Sequence, residues 1–386
     1  MPAARRIDIV VTTIFEPRWL AGYLDNIRAH GHAGEVTIRI VCDRKTPASV
    51  YEAAAAARKA GFRIDCPTLE EQDAYLHTLG APEGFIPWNT DNRRNIGFLR
   101  TWESGAGVLI SIDDDNYCRG DSDFVASHGV VGSQAGAMPA VQCAAGGAWF
   151  NLCERLFGDS PVPFFPRGFP YGARATALAK PGPITGQARG QRIAVNAGLW
   201  IDDPDVDALT RLTLGPRVAS ADARGVVLAP ETWSPINTQN TALLRAAMPA
   251  YWYVRMGQRL KGLRIARFGD ILSGYFVQAC AKHLGDAIHL GAPVAEHHRT
   301  PHNLFEDLHH ELGGIMLIEE LVPWLQELKL SGSTYADASA SLADALEAQA
   351  GRFKGALWED GGREFLRGTA QGLRVWLGLL GKLGTA

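Results

Sequence analysis

The stretch Gly107-Val108-Leu109-Ile110-Ser111-Ile112-Asp113-Asp114-Asp115-Asn116 decides how this chain is read. Its apolar, β-branched first half predicts a buried strand. That strand breaks off into three consecutive carboxylates. Like charges side by side are costly unless something positive sits among them, and at a strand's C-terminal edge the expected partner is a divalent cation. Such edges are also where open α/β sheets bind ligands. Asp113 and Asp115 are therefore candidate metal ligands, with Asp114 between them. An isolated acidic triplet is more often a solvated turn, so the flanking chain has to decide.

Upstream, residues 7–13 and 36–42 read as buried strands, 19–29 and 47–60 as helices, and 61–65 as a further short strand. Strand and helix in this rhythm predict a parallel sheet with crossover helices. Asp43 falls at a strand end, where it either hydrogen-bonds a base or ribose or caps the following turn. A polar loop then feeds a helix starting near residue 91, so Arg93 and Arg94 lie in the first turn of the helix before the acidic strand. An arginine there offers paired donors to a phosphate, next to the helix's positive end.

Downstream, residues 129–149 are small and Gly/Ala-rich without a phosphate-loop pattern. Residues 161–172 hold Arg167 among prolines and aromatics in a stiff, non-helical loop. Residues 192–201 read as a strand, and the aspartates of 202–207 read as a turn capping a helix. Residues 236–245 read as a polar edge. Asp270 opens an apolar helix over 271–284, where N-capping competes with a role in chemistry. A short strand over 288–294 runs into Glu296-His297-His298-Arg299-Thr300-Pro301-His302. Six of the eleven histidines fall between His289 and His310, a density that suits a transition metal. From residue 312 onward the pattern is helical and amphipathic, with a polar link near 331–341.

The balance of 38 basic and 41 acidic residues, net −3, gives no reason to expect nucleic acid or an anionic membrane as partner. The six cysteines show neither CxxC pairs nor a disulfide rhythm, so reduced thiols are expected. The N-terminal apolar run is too short for a signal peptide and no stretch is long enough to span a bilayer. A cytoplasmic protein is expected; homo-oligomerisation is left open.

Taken in order, these pieces resemble the reversibly glycosylated polypeptides, the UDP-arabinopyranose mutase family. SIDDDNY, RRNIGF, PRGFPYG and GLWIDDPDVDALTRL carry the match, with weaker similarity in RFGDILSGYFVQACAKHLG and HRTPHNLFEDL. The resemblance implies a GT-A-like α/β domain over residues 1–325, a mostly parallel sheet flanked by helices that binds a nucleotide sugar. Residues 326–386 then form a C-terminal helical extension. It implies a Mn2+ or Mg2+ ion on Asp113, Asp115 and His298, and a nucleotide held by Thr12, Asp43, Arg94, Asp113 and Asp114. It also implies a catalytic pair, Arg167 and Asp270, with Arg167 on the arginine that the family glycosylates reversibly. Because guanidinium is a poor nucleophile, Arg167 is expected to clamp the diphosphate, with Asp270 as base or sugar-orienting carboxylate.

The leading expectation is a metal-dependent glycosyltransferase passing a sugar from a UDP-sugar donor to an acceptor. Segments that differ from the family's, such as Phe268-Gly269-Asp270, favour it. The alternative is a pyranose/furanose mutase that keeps its UDP. A non-catalytic sugar-nucleotide scaffold is the third reading, and the intact acidic triplet and PRGFPY segment count against it.

Overall fold

The structure, a computed structural model, describes residues 5–137, 142–144, 148–179, 190–222, 224–300 and 302–384. Strands β1 (Ile7–Thr13), β2 (Val36–Cys42) and β3 (Arg63–Asp65) alternate with helices α1 (Arg18–Ala29), α2 (Ala48–Lys59) and α3 (Leu69–Thr78). Helix α4 (Arg94–Ser104) leads into β4 (Val108–Asp113), so the acidic triplet leaves the sheet at a strand's C-terminal end. The pairings β1–β2, β2–β3 and β1–β4 are all parallel, as crossovers through helices require. Period-two alternation splits β1 between two apolar layers: Ile7, Ile9 and Val11 pack on one face, Val10 on the other.

The sheet continues through β5 (Asn116–Cys118), β6 (Gln142–Ala144), β7 (Ile193–Asp202), β8 (Val226–Leu228), β9 (Asn240–Leu244) and β10 (Ala287–His297). The order across it is β3-β2-β1-β4-β9-β7-β10-β8-β6, with β5 alongside β10. Strand β9 runs antiparallel to both its neighbours, while β7 and β10 are parallel. This is the expected α/β architecture: a mostly parallel sheet flanked by helices, with a C-terminal helical region.

One expectation about the sheet is corrected. Residues 236–245 are not an edge; they contain β9, in the middle of the sheet with Thr241, Ala242 and Leu243 fully buried. Its polar look comes from side chains that bond inward. Asn240 Oδ1 lies 2.9 Å from His128 Nε2, and the Thr241 hydroxyl donates to the Asn237 carbonyl at 2.7 Å.

Helix α5 (Gly269–His283) follows, then α6 (Leu304–Glu327), α7 (Tyr335–Ala350) and α8 (Arg363–Lys382). The polar link near 331–341 is shorter than expected, since α7 begins at Tyr335. These C-terminal helices share one apolar cluster with the sheet. Trp376 of α8 is fully buried and donates its indole N–H to the Met248 carbonyl at 3.2 Å. Truncating it to alanine is expected to cost about 3–5 kcal/mol. Gly372 lies so close to Trp252 that a Cβ there would be 2.0 Å from the ring. Among the described residues, no helix is long and apolar enough to cross a membrane.

Candidate active site

The C-terminal ends of β1, β2 and β4 open onto a cavity of about 340 Å3. Every site residue expected from the sequence lines it except His298: Thr12, Asp43, Arg94, Asp113, Asp114, Asp115, Arg167 and Asp270. Parallel register sets Thr12 beside Asp113. Asp43 accepts the Arg44 amide at 2.7 Å through Oδ1 and still faces the cavity.

Arg94 is buried under the acidic strand end. Its Nη1 donates to the Ser111 hydroxyl at 2.7 Å and to the carbonyls of Ile112 at 2.9 Å and Thr238 at 3.2 Å. Its Nη2 donates to the Thr12 hydroxyl at 3.1 Å and to Asp113 Oδ1. The guanidinium therefore locks Asp113 in place. Arg93 turns into the core, stacked 3.4 Å over Trp88 and donating to Gln72.

Burial pushes Asp113 up to about 7, with Arg94 opposing and Asp115, Asp270 and Asp91 adding to the rise. Asp114 is pushed up to about 6, mainly by burial. Both shifts come chiefly from burial, and a cation bound there would favour the charged forms.

Asp115 differs, and the residue that makes it differ is His297. Burial alone would raise Asp115, but His297 Nε2, 3.2 Å from Oδ2, holds it below the usual range. His297 Nδ1 donates to the Asp203 carbonyl at 2.5 Å, which fixes the ring. The neighbouring His298 is turned outward. Its side chain is 49% exposed, lies 3.3 Å from Glu296 and stacks on Tyr117. The imidazole at the acidic cluster is thus His297, the last residue of β10, one position before the expected His298, which follows the strand.

Hard carboxylate oxygens are the donors that Mg2+ or Mn2+ prefers. Among the described residues, no group of three or more His, Cys, Asp or Glu could hold a metal by itself. The donor type fits a divalent ion; the number fits one that takes one or two carboxylates and completes its shell with substrate phosphates.

Arg167 occupies the other end of the site. Its turn needs Gly168, which has φ +87° and where a Cβ would lie 2.4 Å from Ile271 Cγ2. Nε and Nη2 donate to the two oxygens of Asp205 at 2.9 and 3.0 Å. Nη1 and Nη2 donate to the two oxygens of Asp270 at 3.1 and 2.6 Å, and Nη1 also donates to the Arg267 carbonyl. All five N–H groups are then in use, which leaves none for a diphosphate. The expectation that Arg167 clamps the diphosphate does not survive this geometry. Against burial, the two carboxylates hold the guanidinium well above its ordinary value. Asp270 lies in the first turn of α5 and makes no side-chain cap; its carboxylate is spent on Arg167.

Sequence reasoning missed Asp205, His297, Arg211, Arg267 and Arg299, all on the cavity wall. Asp205 was read among helix-capping aspartates, and one of that run does cap: Asp207 accepts the Thr210 amide at 2.7 Å. Arg267 carries a signal only coordinates reveal, a left-handed φ of 57° in a non-glycine residue.

Residues 6–359 match the family described as reversibly glycosylated polypeptide. The chain is 29% identical over 260 residues to the probable UDP-arabinopyranose mutase 4 of Arabidopsis thaliana, covering 66% of this chain and 63% of that one. It is 30% identical over 255 residues to UDP-arabinopyranose mutase 1 of the same plant, covering 66% and 64%. Among solved structures, glucosyl-3-phosphoglycerate synthase from Mycobacterium tuberculosis, crystallised with Mn2+ and UDP-glucose, superposes with a TM-score of 0.39. That likeness has 13% identity and covers 83% of this chain and 81% of the synthase. With its acidic strand end, its PRGFPYG arginine and a match along most of its length, the chain belongs to the reversibly glycosylated polypeptide family.

Proposed function

We propose that this chain is an enzyme acting on UDP-sugars, and that its reaction interconverts the pyranose and furanose forms of the sugar while UDP stays in the cavity. The observation that carries this reading is Arg167, held between Asp205 and Asp270 in the same cavity as Asp113, Asp114 and Asp115. The sequence favoured metal-dependent transfer to a separate acceptor. Relatives named as UDP-arabinopyranose mutases support the alternative better.

Thr12 and Asp43 are suited to the nucleoside, at the ends of β1 and β2. Arg94 acts through Asp113, whose orientation it fixes. A divalent ion, when bound by Asp113 or Asp115 with His297 beside them, would neutralise charge growing on the departing diphosphate. Arg167 and Asp270 then belong to the sugar. Asp270 Oδ2 lies 2.6 Å from Nη2, close enough to take a proton as that nitrogen bonds the anomeric carbon. In that step the C–N bond forms, the anomeric C–O bond breaks towards UDP, and the proton moves from Nη2 to Asp270. While the sugar is on Nη2 its C1–O5 bond breaks and O4 closes on C1, the O4 hydroxyl proton passing to O5; UDP then returns to C1, the C–N bond breaks, and Asp270 gives the proton back to Nη2. Since both carboxylates favour the protonated guanidinium, proton loss has to accompany bond formation.

Incubation with UDP-arabinopyranose and Mn2+, followed by chromatography, tests the reading. An isomeric UDP-sugar is the expected product. Accumulating free UDP without isomer would return the chain to transfer or hydrolysis, and an unchanged substrate would argue against enzyme function. Intact-protein mass spectrometry should show a pentose adduct that UDP chases off.

A further inference from the structure

Seven cationic side chains line the cavity, and the two expected to meet a phosphate have both terminal nitrogens engaged by protein acceptors, although the buried Nε of Arg94 has no acceptor. Arg94 spends its Nη donors on Ser111, Ile112, Thr238, Thr12 and Asp113, and Arg167 spends all five on protein acceptors. Arg211, Arg267 and Arg299 are differently placed. Each lines the cavity, yet the carboxylates that hold them, Asp203, Asp307 and Glu311, do not. Arg211 pairs with Asp203, Arg267 donates to Glu311 at 3.0 Å, and Arg267 and Arg299 share Asp307 at 3.5 and 2.5 Å. His302 joins the same carboxylate at 3.4 Å and also lines the cavity.

This arrangement anchors each guanidinium through part of its fork and leaves donors over. Arg211, with 8% of its side chain exposed, has a buried Nε without an acceptor. Among the described residues, Arg299 donates to Asp307 alone. Arg267 and Arg299 bond the same carboxylate, so the two cations are held closer than they would choose. The left-handed backbone at Arg267 is a second strained feature at the same wall. Preorganised, partly unsatisfied guanidiniums around one volume form an acceptor-shaped hole for a tetrahedral oxyanion.

We propose that Arg211, Arg267 and Arg299, with His302, form a phosphoryl-binding subsite of this cavity, distinct from the acidic strand end. Resting on the UDP-sugar reading, the subsite holds the distal phosphate of UDP after the sugar has left. A mutase needs such a hold, because UDP lost to solvent cannot reattack the sugar. The same chemistry would accept the phosphate of a second substrate, and the test separates the two sources.

Affinities for UDP, UMP and inorganic phosphate are measured by calorimetry on wild type and on Arg299→Gln, Arg299→Lys and Arg267→Gln, each first checked for an unchanged thermal transition. Arg299→Lys keeps the charge but loses the fork, so it should weaken binding less than glutamine does. A loss of UDP affinity of tenfold or more, with UMP changed less than twofold, supports the subsite and assigns it to the donor's distal phosphate. Unchanged UDP affinity with lost binding of inorganic phosphate to the UDP-saturated protein supports it for a second substrate. If wild type binds phosphate in an Arg299-dependent way but no UDP, the subsite stands and the UDP-sugar reading falls. If the folded variants bind all three ligands as wild type does, the subsite is refuted.

Discussion

The pairing of Arg167 with two aspartates makes a quantitative demand that can be tested without knowing the substrate. The side chains of Arg167, Asp205 and Asp270 are 9%, 12% and 7% exposed. Removing one partner of a buried ion pair ordinarily costs about 3–5 kcal/mol, because the other charge is stranded. Here Asp205→Asn leaves Asp270 still bonded to both Nη atoms, and it relieves repulsion between the two carboxylates. The single substitution is therefore expected to cost less, about 2 kcal/mol, and Asp270→Asn a similar amount. The double variant leaves a buried guanidinium with no carboxylate, so its cost should exceed the sum of the singles by about 1–3 kcal/mol. Urea unfolding followed by both fluorescence and circular dichroism gives the numbers, provided the two probes coincide and the slope is unchanged. Additivity within about 0.5 kcal/mol would mean that each aspartate acts alone, and the shared-cation reasoning would be wrong.

Three further outcomes follow from the geometry. Arg167→Lys keeps the charge but not the fork; isomer formation should fall by about 2–3 kcal/mol of transition-state stabilisation, on the order of a hundredfold, while UDP affinity stays within about threefold because no Arg167 N–H is free for phosphate. Addition of Mn2+ should tighten UDP binding to wild type and to His298→Gln, whose side chain faces outward, but not to Asp115→Asn; a His298-dependent effect would restore the residue that the sequence favoured. Burial pushes both His128 and His289 down to about 4, so the folded state favours neutral rings: their contribution is complete above about pH 6.5 and is lost as pH falls from there towards 4, up to about 3 kcal/mol each. Unfolding free energies at pH 7.5 and 4.5 should show this loss, and His128→Gln, which can still bond Asn240, should reduce it.

Much of the sheet was legible because it follows from short-range rules. Buried parallel strands announce themselves as apolar runs, and crossover helices by their spacing, so β1, β2 and β4 and the strand-end carboxylates could be read directly. Strand β9 could not. Asn240 and Thr241 look like surface residues, and only the partners His128 and Asn237, 112 and four positions away, explain why a polar segment lies at the sheet's centre. Asp205 was hidden for a related reason. In a run where Asp207 caps a helix by a local bond, nothing nearby distinguishes the aspartate whose partner lies 38 residues away.

The choice between His297 and His298 shows where strand periodicity itself fails. In a regular strand, alternation carried from Leu290 would settle which histidine faces the acidic cluster, since a shift of one residue moves every side chain to the other face. Along β10, however, the register against β7 shifts between Leu290 and Pro293 and again between Pro293 and Ala295. Each irregularity breaks the count, so parity established before it says nothing about parity after it. What restores the answer is the far end of the strand: His297 pairs with Asn116 in β5 and with Asp202 in β7. These pairings bring its ring between the Asp203 carbonyl and Asp115. The deciding contacts are with residues about 95 and 180 positions earlier, and they form only when three strands meet. The site's histidine is thus chosen by the sheet, while the sequence near it offers two candidates of equal chemistry.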